Sequence, residues 1–166
     1  MAVLTSRFAD GLAVGEMGTD LVATAERAVR QALSGLSGSP DLVCFFICGD
    51  DPDDVTRAGV RAMEMARRAG ADTHVIGCSA TGVIGGGRGI EVTPAVSAWA
   101  ATLDKARIIP FALETLQAED RFVVIGLPER DGEDRAAILL ADPYSFPTDA
   151  FVERSGQVLG GLPLIG

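Results

Sequence analysis

A strand–helix–strand pattern over residues 42–77 constrains the fold of this 166-residue chain more than any other feature. The run LVCFFIC, residues 42–48, is continuously apolar and rich in β-forming residues, which is typical of a strand covered on both faces. Asp51 is placed to cap the helix that follows, and Pro52 suits its first position. Because ADTHVIGCS, residues 71–79, returns as a strand, the pattern predicts two parallel strands joined by a right-handed crossover.

The remaining periodicity predicts an α/β fold, with a mixed β-sheet and flanking helices. Residues 6–9 form a short opening strand, and helical spacing of apolar residues over 20–36 predicts an amphipathic helix. Residues 90–103 are rich in small side chains and predict one long strand, with a bend or an edge near its start at Pro94 and with Trp99 in the core. Residues 106–113 are expected to pair with it as an antiparallel hairpin.

The last part of the chain repeats the order of the first unit. Residues 136–166 again give a strand, an Asp–Pro turn (DPYSFP), a helix over 148–159 and a closing PLIG, matching HVIG. This parallel suggests an internal duplication within a single domain, 1–166. Since the second copy stops where the first reaches its glycine-rich segment, the sequence is expected to be truncated.

That glycine-rich segment is GCSATGVIGGGRGIE, residues 77–91. A Walker A loop needs Lys and Ser/Thr after its second glycine and then a helix, whereas here Arg88 and Gly89 precede a strand. The GxGxxG dinucleotide fingerprint is also absent. Two interpretations remain open. The segment is a structural connection, or the bare N–H groups of residues 85–87 approach a ligand while Arg88 holds a carboxylate.

The amino-acid composition argues against several classes of binding partner. The formal net charge of −9 argues against nucleic acid and anionic lipid. The longest apolar run, seven residues, is far shorter than the roughly 20 needed to span a bilayer. Three cysteines, an odd number without framework spacing, indicate reduced thiols and a cytoplasmic location, and the first residues do not resemble a secretory signal. With one histidine and no CxxC spacing, neither a metal site nor a cofactor is expected.

The cysteines, the histidine and the acidic residues can each be interpreted as functional or as structural. Cys78 and His74 share a strand face but lie about 13 Å apart along it, so a direct Cys–His pair is disfavoured and a half-buried structural thiol is favoured. Cys44 and Cys48 lie on one strand and do not suit a disulfide. The acidic run around Asp50 is mainly a helix N-terminus, with one carboxylate facing a pocket as the alternative.

Four stretches together resemble the N-terminal part of FIST proteins: THVIGCSATGVIGGGRGIE, DLVCFFICGDDPDD, VSAWAATL and LLADPYSFPTD. The resemblance implies an intracellular sensory domain for small ligands, amino acids among them, followed by a second FIST region. It brings no established catalytic residues. Gly89 departs from relatives, which often carry a larger, acidic residue there.

We therefore predict a non-enzymatic sensory domain that binds a small ligand and signals to a downstream protein or a fused domain. Arg88 and the glycine amides would hold a carboxylate, and Asp142 or Asp50 an ammonium group. The expected ligand-binding residues are Cys78, Ser79, Thr81, Gly82, Gly85, Gly86, Gly87, Arg88, Asp50, Asp142 and Tyr144. A Cys78-dependent enzyme and a protein–protein interaction module are the alternatives.

Overall fold

A computed structural model of the chain describes residues 6–16, 18–118, 121–129 and 132–166. These residues form two compact units, Met1–Ile108 and Ile109–Gly166. The first unit contains eight elements among its described residues: β1 (Arg7–Val14), α1 (Leu21–Ser34), β2 (Leu42–Cys48), α2 (Pro52–Ala69), β3 (His74–Ser79), β4 (Gly82–Gly85), β5 (Arg88–Glu91) and β6 (Ala95–Thr102).

The first unit is built on a four-stranded mixed sheet with the order β1-β6-β2-β3. β2 and β3 are parallel, with α2 as the crossover between them, as the sequence predicts. β6 pairs antiparallel with β1 on one side and with β2 on the other. The predicted α/β class with a mixed sheet is confirmed.

Both long helices begin at an aspartate. The Asp51 carboxylate accepts from the Asp53 N–H at 2.8 Å, and Pro52 occupies the first turn of α2, so the predicted cap is confirmed. Asp20 caps α1 in the same way through the Val22 N–H. These caps satisfy N–H groups that have no partner within the helix.

The helices cover one face of the sheet. Alternate strand residues point into this layer and are almost completely buried, among them Val43, Ile47, Val96, Ala98 and Ala100. Small side chains on β6 let α1 lie close to the sheet, and Gly11 of β1 leaves no room for a Cβ against the Ala28 carbonyl of α1. The main core therefore lies between the helices and this face.

Two strand predictions in this region were wrong. Residues 90–103 form two strands, β5 and β6, because the chain turns at Val92–Pro94, where Val92 adopts a positive φ of 64°. Residues 106–113 contain no strand, and β6 takes β1 and β2 as its antiparallel partners. The opening strand is longer than predicted, since β1 continues to Val14.

The second unit contains five elements among its described residues: β7 (Glu114–Ala118), β8 (Arg121–Ile125), β9 (Ala137–Ile138), α3 (Thr148–Val158) and β10 (Leu164–Ile165). β7 and β8 form an antiparallel hairpin. β9 and β10 are parallel and α3 connects them, so the second strand–helix–strand unit exists as predicted, although β9 is only two residues long.

Among the described residues, no helix has both the length and the apolar character needed to cross a bilayer.

Candidate functional site

The glycine-rich segment folds as a β-hairpin. β4 and β5 pair antiparallel from Gly82↔Glu91 to Gly85↔Arg88. The two residues between them, Gly86 and Gly87, have φ values of +54° and +74°. Two-residue hairpin turns of this kind require positive φ at both positions, which explains why glycine stands at each. A nucleotide-binding loop would be followed by a helix, whereas here a strand follows the turn. The structure therefore agrees with the sequence-based argument against such a loop.

The hairpin lies on the sheet face opposite the helices and is attached to it at three points. The Cys48 thiol donates to the Thr81 carbonyl at 3.3 Å, and the Ser97 hydroxyl donates to the Ile84 carbonyl at 2.6 Å. At the turn, the Gly86 N–H donates to the Asp10 carboxylate at 3.0 Å. The hairpin thus runs from the end of β2, over β6, to β1.

Apolar packing fixes the middle of the hairpin. Val83 is only 3% exposed and packs with Cys48 and Ala95, while Leu12, Phe46 and Ile90 surround this small second core. A Cβ at Gly85 would lie 3.1 Å from Leu12 and from the Ser97 hydroxyl. This close approach accounts for the glycine at position 85.

Beside the hairpin, an open pocket of about 300 Å³ is lined by Phe8, Ala9, Asp10 and Trp99. Asp10 and Trp99 stand directly opposite each other in the β1–β6 register. The volume lies at the lower end of the range for small-ligand sites, roughly 300–1,000 Å³. Trp99 is half-buried and borders this pocket, so its predicted place in the core was only partly right.

The structure places most of the predicted ligand-binding residues on or beside the hairpin. Exposed residues are Ser79, Thr81, Gly86, Gly87 and Arg88, and partly buried ones are Cys78, Gly82 and Gly85. Arg88 makes no hydrogen bond or ion pair within the described part of the chain. Its guanidinium is therefore available to an external anion.

Asp50 and Asp142, the residues predicted to bind a ligand's ammonium group, belong to different units of the chain. Asp50 is exposed and follows β2 in the first unit. Asp142 belongs to the second unit, where its carboxylate accepts from the Tyr144 N–H at 3.1 Å and the Ser145 hydroxyl at 2.8 Å. These two hydrogen bonds, that of Ser145 first, lower the pKa of Asp142. Tyr144 is 98% exposed on the same turn.

All three cysteines are free, and the pKa of each thiol is raised, which favours the protonated form. Burial raises the pKa of Cys78, and burial with the nearby Cys78 raises the pKa of Cys44 to about 12. The pKa of Cys48 is also raised, by burial and then by the charge of Asp50, against a hydrogen bond from the Val92 backbone. No described residue hydrogen-bonds to the His74 imidazole, so nothing pairs it with Cys78.

Sequence reasoning missed the pocket residues Phe8, Asp10 and Trp99 as a group. Alternation along β1 offered the available signal, since Phe8, Asp10 and Leu12 share one face and place a carboxylate between two large apolar side chains. The prediction ended the opening strand at residue 9 and so did not reach Asp10. The pairing of Asp10 with Trp99 and Gly86 depends on contacts distant in sequence.

The fold and this site define an α/β domain in which a glycine hairpin lies over the helix-free face of a mixed sheet, beside a pocket of small-molecule size. The chain belongs to the FIST N domain family, whose family model matches residues 41–166. FIST N domains are sensory-type domains, and the resemblance read from the sequence is thereby confirmed. Phe8 and Asp10 precede the matched range.

Curated relatives extend the comparison without adding a function. The chain is 32% identical over 93 residues to the uncharacterized proteins MT0656 and Rv0628c of Mycobacterium tuberculosis, from strains CDC 1551 / Oshkosh and ATCC 25618 / H37Rv. The match covers 55% of this chain and 24% of each relative. The matched part of the chain thus spans about a quarter of the length of these relatives.

Proposed function

We propose that this domain binds a small ligand, an amino acid being the first class to test, and passes the signal to a downstream protein or a fused domain. One observation carries the proposal: Asp10 both lines the 300 Å³ pocket and accepts the hydrogen bond from the turn of the glycine hairpin. A ligand that enters the pocket therefore acts on a group that attaches the hairpin to the sheet.

The exposed end of the hairpin supplies the second part of the argument. Arg88 offers a planar fork that suits a carboxylate, and its guanidinium has no ion pair with any described residue that binding would have to break. The Gly87 N–H makes no hydrogen bond within the described residues, and Gly87 is exposed. The Asp10 carboxylate on Gly86 shows that this turn accommodates a carboxylate.

Three free cysteines support a reducing compartment, and we place the domain in the cytoplasm. A Cys78-dependent enzyme is disfavoured, because burial raises the pKa of the thiol and no base among the described residues hydrogen-bonds to it.

Isothermal titration and thermal unfolding with the standard amino acids test the proposal. We expect saturable binding of at least one amino acid and a higher melting temperature, since a ligand that binds only the folded state stabilises it. Arg88→Ala should weaken binding of the carboxylate-bearing ligand, whereas Arg67→Ala, an exposed arginine of α2, should not. Binding that is equally strong in Arg88→Ala would remove Arg88 from the site.

An interaction module remains the second candidate because the second unit exposes large side chains. Tyr144 is 98% exposed, and the hairpin of β7 and β8 exposes Leu116, Phe122, Val123 and Ile125. Leu116, Val123 and Ile125 share one face of this hairpin, and apolar side chains exposed together are typical of protein-binding surfaces. Stabilisation by a protein partner, with none by the amino acids, would favour this function.

A further inference from the structure

The pocket beside β1 combines one carboxylate with two aromatic rings. Asp10 is its only ionisable lining residue, and Phe8 and Trp99 contribute the aromatic surface. No arginine, lysine or histidine is among the four lining residues. The pocket wall therefore carries a negative charge, and none of its four lining residues could form an ion pair with a carboxylate on the ligand.

The carboxylate retains the capacity to bind a donor. Its Oδ2 atom accepts from the Gly86 N–H at 3.0 Å, and no described residue donates to Oδ1. A carboxylate has lone pairs for about four hydrogen bonds, so a single amide leaves most of them open. An ammonium group would supply charge-assisted donors to this oxygen.

The aromatic residues favour the same ligand charge. Trp99 stands opposite Asp10 across β1 and β6, and Phe8 lies two residues before Asp10 on the same strand face. The faces of aromatic rings attract cations, tryptophan most strongly, and also cover the apolar part of a ligand. The chain's net charge of −9 adds a long-range attraction for cations.

We infer that this pocket binds organic cations, namely small ammonium ions that carry an apolar group. This inference rests on the proposed function. The ammonium end lies against Asp10 and the apolar end against the aromatic rings. Asp10, rather than Asp50 or Asp142, is the residue that selects for the positive charge.

Trp99 provides a direct probe, because it is the only tryptophan in the chain and lines the pocket. We would titrate the protein with butylammonium and 2-phenylethylammonium, following Trp99 fluorescence and heat of binding. The anion 3-phenylpropanoate and zwitterionic phenylalanine serve as comparisons that carry a similar aromatic group but a different charge. We expect saturable fluorescence changes with the ammonium ions and a response at least roughly tenfold weaker with the anion.

Asp10→Asn is the informative variant. Its side-chain oxygen can still accept from the Gly86 N–H, so the hairpin keeps its attachment while the negative charge is lost. Ammonium binding should weaken about tenfold or more. Asp72→Asn makes the same change of charge at an exposed turn outside the pocket and should leave the binding unchanged.

The outcomes separate this inference from the proposed function. Ammonium-ion binding that is unaffected by Asp10→Asn would overturn the cation site, and amino-acid binding that persists in that variant would leave the sensory proposal standing. Binding of ammonium ions without any amino acid would support the cation site and remove amino acids as the ligand class. Equal binding of 3-phenylpropanoate, or no saturable response to either ammonium ion, would overturn the inference.

Discussion

The Asp10 carboxylate accepts a hydrogen bond from the Gly86 N–H at 3.0 Å, joining residues 76 positions apart in the sequence. Asp10 belongs to β1, at the edge of the sheet, and Gly86 begins the turn of the glycine hairpin. The contact links the pocket to the most glycine-rich part of the chain. It gives the proposed site a physical connection to an element that could respond to a ligand.

The first prediction concerns this contact. Asp10→Ala should destabilise the hairpin attachment by about 1 kcal/mol, the usual net value of one hydrogen bond, whereas Asp10→Asn should retain most of it. Hydrogen exchange of residues 82–91 measures the effect, with faster exchange expected in Asp10→Ala alone. Identical exchange in both variants would show that the contact does not hold the hairpin.

A second prediction compares two glycines. In Gly11→Ala the new methyl group would overlap the Ala28 carbonyl and lie 2.7 Å from the Gln31 Cβ, so α1 and β1 would have to separate. We expect a loss of roughly 1–3 kcal/mol of unfolding free energy. Gly59→Ala in α2 meets only the Ile47 Cδ1 at 3.7 Å and should add about 0.5–1 kcal/mol. Urea unfolding measures both, and the two changes should have opposite signs.

The N-cap of α2 gives a third prediction. Asp51→Ala removes the acceptor for the N–H groups of Asp53 and Asp54 and should cost about 1 kcal/mol of unfolding free energy. Asp50→Ala, the adjacent exposed aspartate, makes no such bond and serves as the control. Equal urea midpoints for the two variants would contradict the capping role.

The cysteines give a fourth prediction, which also tests the enzymatic alternative. Because the pKa of each thiol is raised, alkylation of folded protein at pH 8 should be slower than that of a free cysteine at every site, with Cys44 slowest. Mass spectrometry of the labelled peptides measures the rates. Rapid labelling of Cys78 at neutral pH would instead indicate an activated nucleophile.

The same shift predicts how stability depends on pH. The pKa of Cys44 is about 12 in the folded state, against 9.0 without the protein environment. Between these values the folded state binds more protons than the unfolded state, so the free energy of unfolding should fall as pH rises. Cys44→Ser should flatten this dependence in urea titrations above pH 9.

The sequence was most informative where local chemistry decides the structure. Asp51 and Pro52 fixed the start of α2, and the apolar run of β2 identified a buried parallel strand, because caps and burial patterns act within a few residues. Pro94 indicated a bend or an edge near the start of the predicted strand 90–103, but the full division into β5 and β6 at Val92–Pro94 was not foreseen. The small residues of β6 are explained by its central place between β1 and β2, which is a property of the assembled sheet.

The candidate site was predictable only in part, for the same reason. The hairpin glycines and Arg88 stand together in the sequence, so their shared location was expected. The pocket brings Phe8 and Asp10 together with Trp99 through strand pairing across more than 80 residues. No local pattern records such a pairing, and the register of β1 against β6 had to be seen.

Gly11 follows Asp10 directly, and its Cα rests against the main chain of α1 with no side chain between them. Strand β1 therefore cannot slide along α1 without separating from it, so the Asp10 side of the pocket is rigid. Any displacement caused by a bound ligand must occur on the opposite side of the pocket, at the glycine turn. The element best placed to move in response is therefore the turn at Gly86 and Gly87, rather than the sheet or the packed middle of the hairpin.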